Sequence, residues 1–123
     1  MKPEAQRITI AEACGWSFNE KEIKQPNGLT LGFHPPAYVR EVFIRSTPDY
    51  LNDFNAIREA CLWAIDNLWD SGQVSDFAKH LESRQRRYIF GPGLHGTAQI
   101  IIRSTAEDWC YAFLKTSNLW TND

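Results

Sequence analysis

The sequence predicts an α+β fold in a single domain over residues 1–123: a small antiparallel sheet covered by helices, α/β/α sandwich-like. Three observations carry this. Apolar residues recur at steps of three and four in separate stretches at both ends and in the middle of the chain. Short runs rich in Val, Ile, Tyr and Phe, bounded by Gly and Pro, lie between those stretches. A length of 123 residues with 43% hydrophobic and 23% charged side chains suits one closed core without staples.

The first helix begins at Lys2-Pro3-Glu4, with Pro3 where a missing N–H is no loss and Glu4 at the dipole's positive end. Ile8, Ile10, Ala11 and Cys14 form its apolar side, and Gly15 ends it. Trp16 and Phe18 follow as aromatics expected to fold back onto the core. Residues 19–28 are polar and hold Pro26 and Asn27-Gly28, a turn of the kind that joins strands. Leu29 to Phe33 reads as a short strand, ended by His34-Pro35-Pro36. Tyr38 to Ile44 reads as a second extended segment, although Arg40 and Glu41 interrupt its alternation.

Thr47 to Trp69 is the longest stretch that keeps one period, and it is expected to be the organising helix. Leu51, Phe54, Ile57, Cys61, Ala64, Ile65 and Leu68 fall on one stripe. Thr47 is its expected N-cap, Pro48 and Asp49 its first turn, and Ser71-Gly72 its stop. Val74, Phe77, Ala78 and Leu81 mark a shorter helix that frays near Ser83 to Gln85. Arg87 to Phe90 and Ala98 to Arg103 read as two strands joined by the loop GPGLHGT. A last helix opens on the capping box Ser104-x-x-Glu107 and buries Trp109, Cys110, Phe113 and Leu114. Asn118 closes it in the left-handed conformation, with Leu119-Trp120 packing back.

The net charge of −2 gives no general reason to bind polyanions. Its distribution is uneven: residues 1–70 carry 7 Lys/Arg against 10 Asp/Glu, and residues 71–123 carry 6 against 5. Lys79, Arg84, Arg86, Arg87 and Arg103 face only Glu82, a local basic segment whose plainer reading is a solvated helix face. Cys14, Cys61 and Cys110 lie inside helical patterns and form no C-x-x-C pair, which reads as buried thiols in a reducing, cytoplasmic compartment. No signal peptide opens the chain, and no apolar run reaches the roughly 18 residues of a membrane span.

Three blocks carry a family resemblance: MKPEAQRITIAEACGW at the start, PDYLNDFNAIREA in the middle and TAEDWCYAFLKTSNLW at the end. They resemble small phage and prophage proteins of the phage ABA-sandwich family. The family's pattern is similar to MKPE-x-QRIAIAEACGW, PDYLNDLNAMHEAE and TAAQRAEAFLRTLGLW. The blocks cover about a third of the chain. This sequence departs from the pattern at Ile57-Arg58, Trp109-Cys110 and Ser117-Asn118, and residues 72–96 match no part of it. The resemblance implies a sandwich-like fold and a setting inside a bacterial host cell during infection. The matching residues are caps and helix stripes, so any function particular to this chain is expected in the variable stretches.

Gly91-Pro92-Gly93-Leu94-His95-Gly96 satisfies G-x-G-x-x-G after an expected strand. A dinucleotide fingerprint also needs a helix directly after the glycines, and a strand is expected there, so a hairpin loop is the plainer reading. A glycine loop can still present backbone N–H groups to an anion. Arg86, Arg87, Arg103 and His95 flank it, and Tyr88 offers a flat face to a base. His34, His80 and His95 lie far apart with no Cys at ligand spacing, so no metal or other cofactor is expected. G-x-S-x-G, H-E-x-x-H and the P-loop string are absent, and Asp49, Asp53, Glu107 and Asp108 are explained by helix dipoles, so no catalytic residue is assigned.

Two functions follow as expectations. One is a non-enzymatic phage-type sponge that sequesters a phosphorylated or cyclic nucleotide used in host defence signalling, an anti-defence role. It would bind through Arg86, Arg87, Tyr88, Gly91, Gly93, His95 and Arg103. The other is an accessory factor that docks on a host or phage protein and inhibits it. Trp63 and Trp69, flanking the main stripe, would then form an interface with that partner or with a second copy in a homodimer. A pI near 5.9 argues against nucleic acid as the partner.

Overall fold

A computed structural model describes residues 1–33, 36–85 and 94–122, with the side chains of 33, 36 and 94–97 left aside. Helix α1 spans Pro3–Ala13, with Pro3 in its first turn and Glu4 at the dipole end, as the sequence indicated. Gly15, at φ +99°, turns the chain out of it. Strands β1 (Ser17–Phe18), β2 (Glu22–Lys24) and β3 (Thr30–Phe33) form an antiparallel sheet in the order β1-β2-β3. Asn19 Oδ1 organises the first connection by accepting from Lys21 N and Glu22 N. The Asn27-Gly28 turn closes the second: Gly28 N donates to Gln25 O at 2.9 Å, Leu29 N to Asn27 Oδ1, and Gly28 takes φ +85°. The register pairs Ser17 with Lys24 and Phe18 with Ile23, then slips by one between Glu22–Phe33 and Lys24–Thr30. Gly32, at φ +105°, absorbs that slip as a bulge.

A 3-10 turn (Pro36–Tyr38) leads into helix α2, Val39–Ser46. The extended segment expected over Tyr38 to Ile44 is therefore helical. The interruption by Arg40 and Glu41 is the reason: Val39, Val42 and Phe43 lie three and four apart, and this face buries Val39 and Phe43 against the core. Phe18 packs on Phe43 at 4.4 Å and Trp16 meets it edge-on at 6.4 Å, so both aromatics cover the core as expected. Through these contacts α2 covers the sheet.

Helix α3 spans Phe54–Asn67 and is shorter than the expected Thr47–Trp69. Thr47 is not its cap but the end of α2, its N–H donating to Phe43 O and its hydroxyl to Ile44 O. Pro48 disfavours helical geometry at Thr47, so the chain breaks there. Asp53 then caps α3, its carboxylate accepting from Asn55 N and Ala56 N. Ser71-Gly72 does not stop α3; it opens helix α4, Ser71–Arg84, under a capping box between Asp70 and Gln73.

The strand expected over Ala98 to Arg103 is helix α5, Leu94–Arg103. Three consecutive isoleucines have strand propensity, but packing decides: Ile100 is buried against Leu81 and Ala112, while Ile101 and Ile102 stay exposed. The strand expected over Arg87 to Phe90 lies outside the described residues. Helix α6, Ala106–Thr116, is capped by Thr105 with Asp108, one residue later than expected. Ser104 instead donates its hydroxyl to Ile100 O. Asn118 takes φ +59° and Leu119 N donates back to Leu114 O, which closes the helix as the sequence indicated.

The organising element is α6 rather than α3. It packs on α1, α3 and α4, and its Cys110, Ala112, Phe113 and Leu114 are fully buried. The fold is a small α+β domain with a three-stranded antiparallel sheet.

Candidate functional site: a groove along helix α3

Helix α3 carries two faces. Ile57, Cys61 and Ala64 point into the core. At about 100° per residue, Asn55, Glu59, Leu62 and Asp66 lie on the opposite side, and Ala56, Ala60 and Trp63 lie between. Along this outer side runs a groove of about 690 Å³. Its far wall comes from Cys14 at the end of α1, Pro26 in the β2–β3 turn, and Pro48 and Tyr50 between α2 and α3.

Local structure fixes each wall. A Cβ at Gly15 would lie 3.3 Å from Pro26 Cβ, so the bare glycine lets the turn close against the end of α1. Arg7 donates to both Thr47 Oγ1 and Thr47 O, which anchors the chain just before Pro48. The floor is neutral. Burial pushes the Cys14 thiol up to about 12 and the Tyr50 phenol up as well, so neither ionises near pH 7. A protonated, buried thiol is an apolar surface rather than a nucleophile.

The charges that line the groove are of one sign. Glu59 and Asp66 are exposed carboxylates, and no Lys or Arg stands among the described residues lining it. From Asn55 to Asp66 the groove follows α3 for roughly 16 Å, about three turns of a bound helix. Leu62, at 43% exposure, lines its edge.

Of the two tryptophans expected at an interface, Trp63 lines this groove and is half-buried. Trp69 is buried instead, at 8% exposure, between Phe77 and Phe113. Arg86, Arg87, Tyr88, Gly91 and Gly93 lie outside the described residues, as does the side chain of His95. Arg103 is exposed in the last turn of α5. The loop expected over residues 91–97 is helical from Leu94 onward, so a helix does follow the glycines where a strand was expected. The described sheet nevertheless lies at residues 17–33 and is antiparallel, unlike the parallel sheet of a dinucleotide fold. Within the basic segment, Arg84 donates to Asp108 Oδ1 at 3.2 Å and lies 4.7 Å from the Tyr111 ring centroid, and Lys79 stands 3.9 Å from Asp76.

The sequence reading missed Tyr50, Cys14, Pro26, Glu59 and Asp66 as groove residues. The available signal was Leu62 and Trp63, apolar residues that the Ile57-Cys61-Ala64 stripe cannot bury.

No family model, curated protein or solved structure matches the chain. Among the described residues, no helix is long and apolar enough to cross a membrane, and no three metal-ligating side chains converge.

Proposed function

We propose that the chain is a protein-docking factor whose α3 groove takes an amphipathic segment of a partner, apolar on one side and flanked by Lys or Arg. A host or phage protein is the partner class that the family resemblance implies, and occupation of its segment is how the chain would inhibit it. The supporting observation is the groove itself: a neutral apolar floor beside the half-buried Trp63, with Glu59 and Asp66 as its charges. Tryptophan is enriched among the residues that carry most of the energy of protein interfaces, and a single-sign rim selects the opposite charge. An amphipathic helix laid in a groove uses anchors at i, i+3 or i+4, and i+7, which fits the length along α3.

Nucleotide sequestration, expected from the Arg86 to Arg103 region, rests on side chains outside the described residues. The acidic groove favours docking over it.

The test is fluorescence anisotropy with a labelled helical peptide of Leu and Lys, against a Leu and Glu peptide of the same length. Saturable binding of the basic peptide, weakened by salt and lost in Trp63→Ala and in Glu59→Lys/Asp66→Lys, supports docking. Equal binding of both peptides, or binding indifferent to these substitutions, overturns it. Heat on titration with cyclic dinucleotides would instead favour sequestration.

A further inference from the structure

The α3 groove holds a strong hydrogen-bonding group that the fold itself does not use. Of the buried residues lining it, Cys14, Tyr50 and Ala60, only Tyr50 carries a hydroxyl. Its ring belongs to the core, at 3% exposure, yet its Oη makes no hydrogen bond among the described residues. Solvent still reaches that oxygen: the side-chain polar atoms both sealed from solvent and unpartnered, among the described residues, are Trp109 Nε1 and Thr116 Oγ1. Because Tyr50 lines the groove, its hydroxyl opens onto the groove floor.

Water satisfies such a hydroxyl while the groove is open. A segment that fills the groove removes that water, and an apolar side chain laid over Tyr50 would leave the O–H unmade, at a cost. The occupant therefore brings an acceptor. In a helix the backbone carbonyls are bonded internally, four residues on, so the acceptor belongs to a side chain. A carboxylate is disfavoured twice, by burial and by Glu59 and Asp66 on the rim. A carboxamide is neutral, accepts from the phenol O–H and donates to its oxygen. Of the two carboxamides, glutamine has the longer reach and the better helix propensity.

We infer that the α3 groove recognises a glutamine at one anchor position of the docked segment, whose side-chain carbonyl accepts from the Tyr50 hydroxyl. This rests on the docking reading and names the group by which the groove tells one basic amphipathic segment from another.

The test takes the labelled Leu and Lys peptide and replaces its three Leu anchors, one at a time, by Gln or by Met, which is of nearly the same length and shape but a weak acceptor. At one anchor the Gln peptide should bind tighter than the Met peptide, and at the other two the apolar walls should favour Met. Tyr50→Phe keeps the ring and removes only an oxygen that the fold leaves unbonded. In that variant the Gln-to-Met affinity ratio at the one anchor should fall about five- to tenfold. Glu at the same anchor should bind more weakly than Gln. Met tighter than Gln at all three anchors, Glu tighter than Gln, or a ratio unchanged by Tyr50→Phe overturns the inference and leaves docking standing, since the Leu peptide still binds. Failure of every peptide of the set to bind overturns the docking reading and the inference with it.

Discussion

Trp69 Nε1 donates to Ser117 Oγ across 3.0 Å, joining the α3–α4 junction to the end of α6. The ring is held by Phe77 at 5.5 Å and Phe113 at 5.3 Å, which fixes the direction of the donor toward Ser117. Ser117→Ala should therefore cost about 1–2 kcal/mol in urea unfolding. In a Trp69→Phe background the same change should cost less than about 0.5 kcal/mol, because no donor remains to be orphaned. Additive losses would mean that the bond contributes nothing.

Thr116, one residue earlier, presents the reverse case. It is buried, and its Oγ1 has no hydrogen-bond partner. Thr116→Val keeps the branched shape and removes the unsatisfied hydroxyl, so it should stabilise the fold by roughly 0.5–1.5 kcal/mol. The urea midpoint should rise with an unchanged slope. A fall would show that the hydroxyl is satisfied in solution.

What the sequence made legible was mostly punctuation. Pro3, Gly15, Asn27-Gly28 and Asn118 each answer a backbone demand settled within a few residues, and each stands where expected. Errors arose where distant packing decides. Ile100, Ile101 and Ile102 read as a strand until Leu81 and Ala112 are placed against Ile100 alone. Thr47 and Asp53 are both fair caps, and only the break imposed by Pro48 assigns one to end α2 and the other to begin α3. The groove was least legible, because its walls join Cys14, Pro26 and Tyr50 to residues 55–66. No local pattern marks that convergence.

Gly15 tests how one wall of the groove is made. Its φ of +99° disfavours any side chain, and a Cβ would press on Pro26 at 3.3 Å. Gly15→Ala should cost upwards of about 1 kcal/mol from backbone conformation alone. Because the added methyl pushes on the turn, it should also weaken binding of the basic peptide. A variant of full stability and affinity would show that the end of α1 and the β2–β3 turn are not in register.

The three thiols make stability depend on alkaline pH. Cys14, Cys61 and Cys110 are buried, and desolvation is the first cause raising each; the Cys14 thiol is pushed up to about 12. A thiol in the unfolded chain ionises near 8.5, so above that pH the unfolded state sheds protons that the folded state keeps. The sign follows: the unfolded state binds fewer protons, and stability falls as pH rises. For Cys14 the fall should run from about pH 9 towards its folded value of about 12. Each thiol should contribute on the order of 1.4 kcal/mol per pH unit within that window. Urea unfolding at pH 7, 8.5 and 10 measures this, and Cys14→Ala should make the decline shallower. A stability that stays level up to pH 10 would mean that the thiols are reached by solvent and ionise alike in both states.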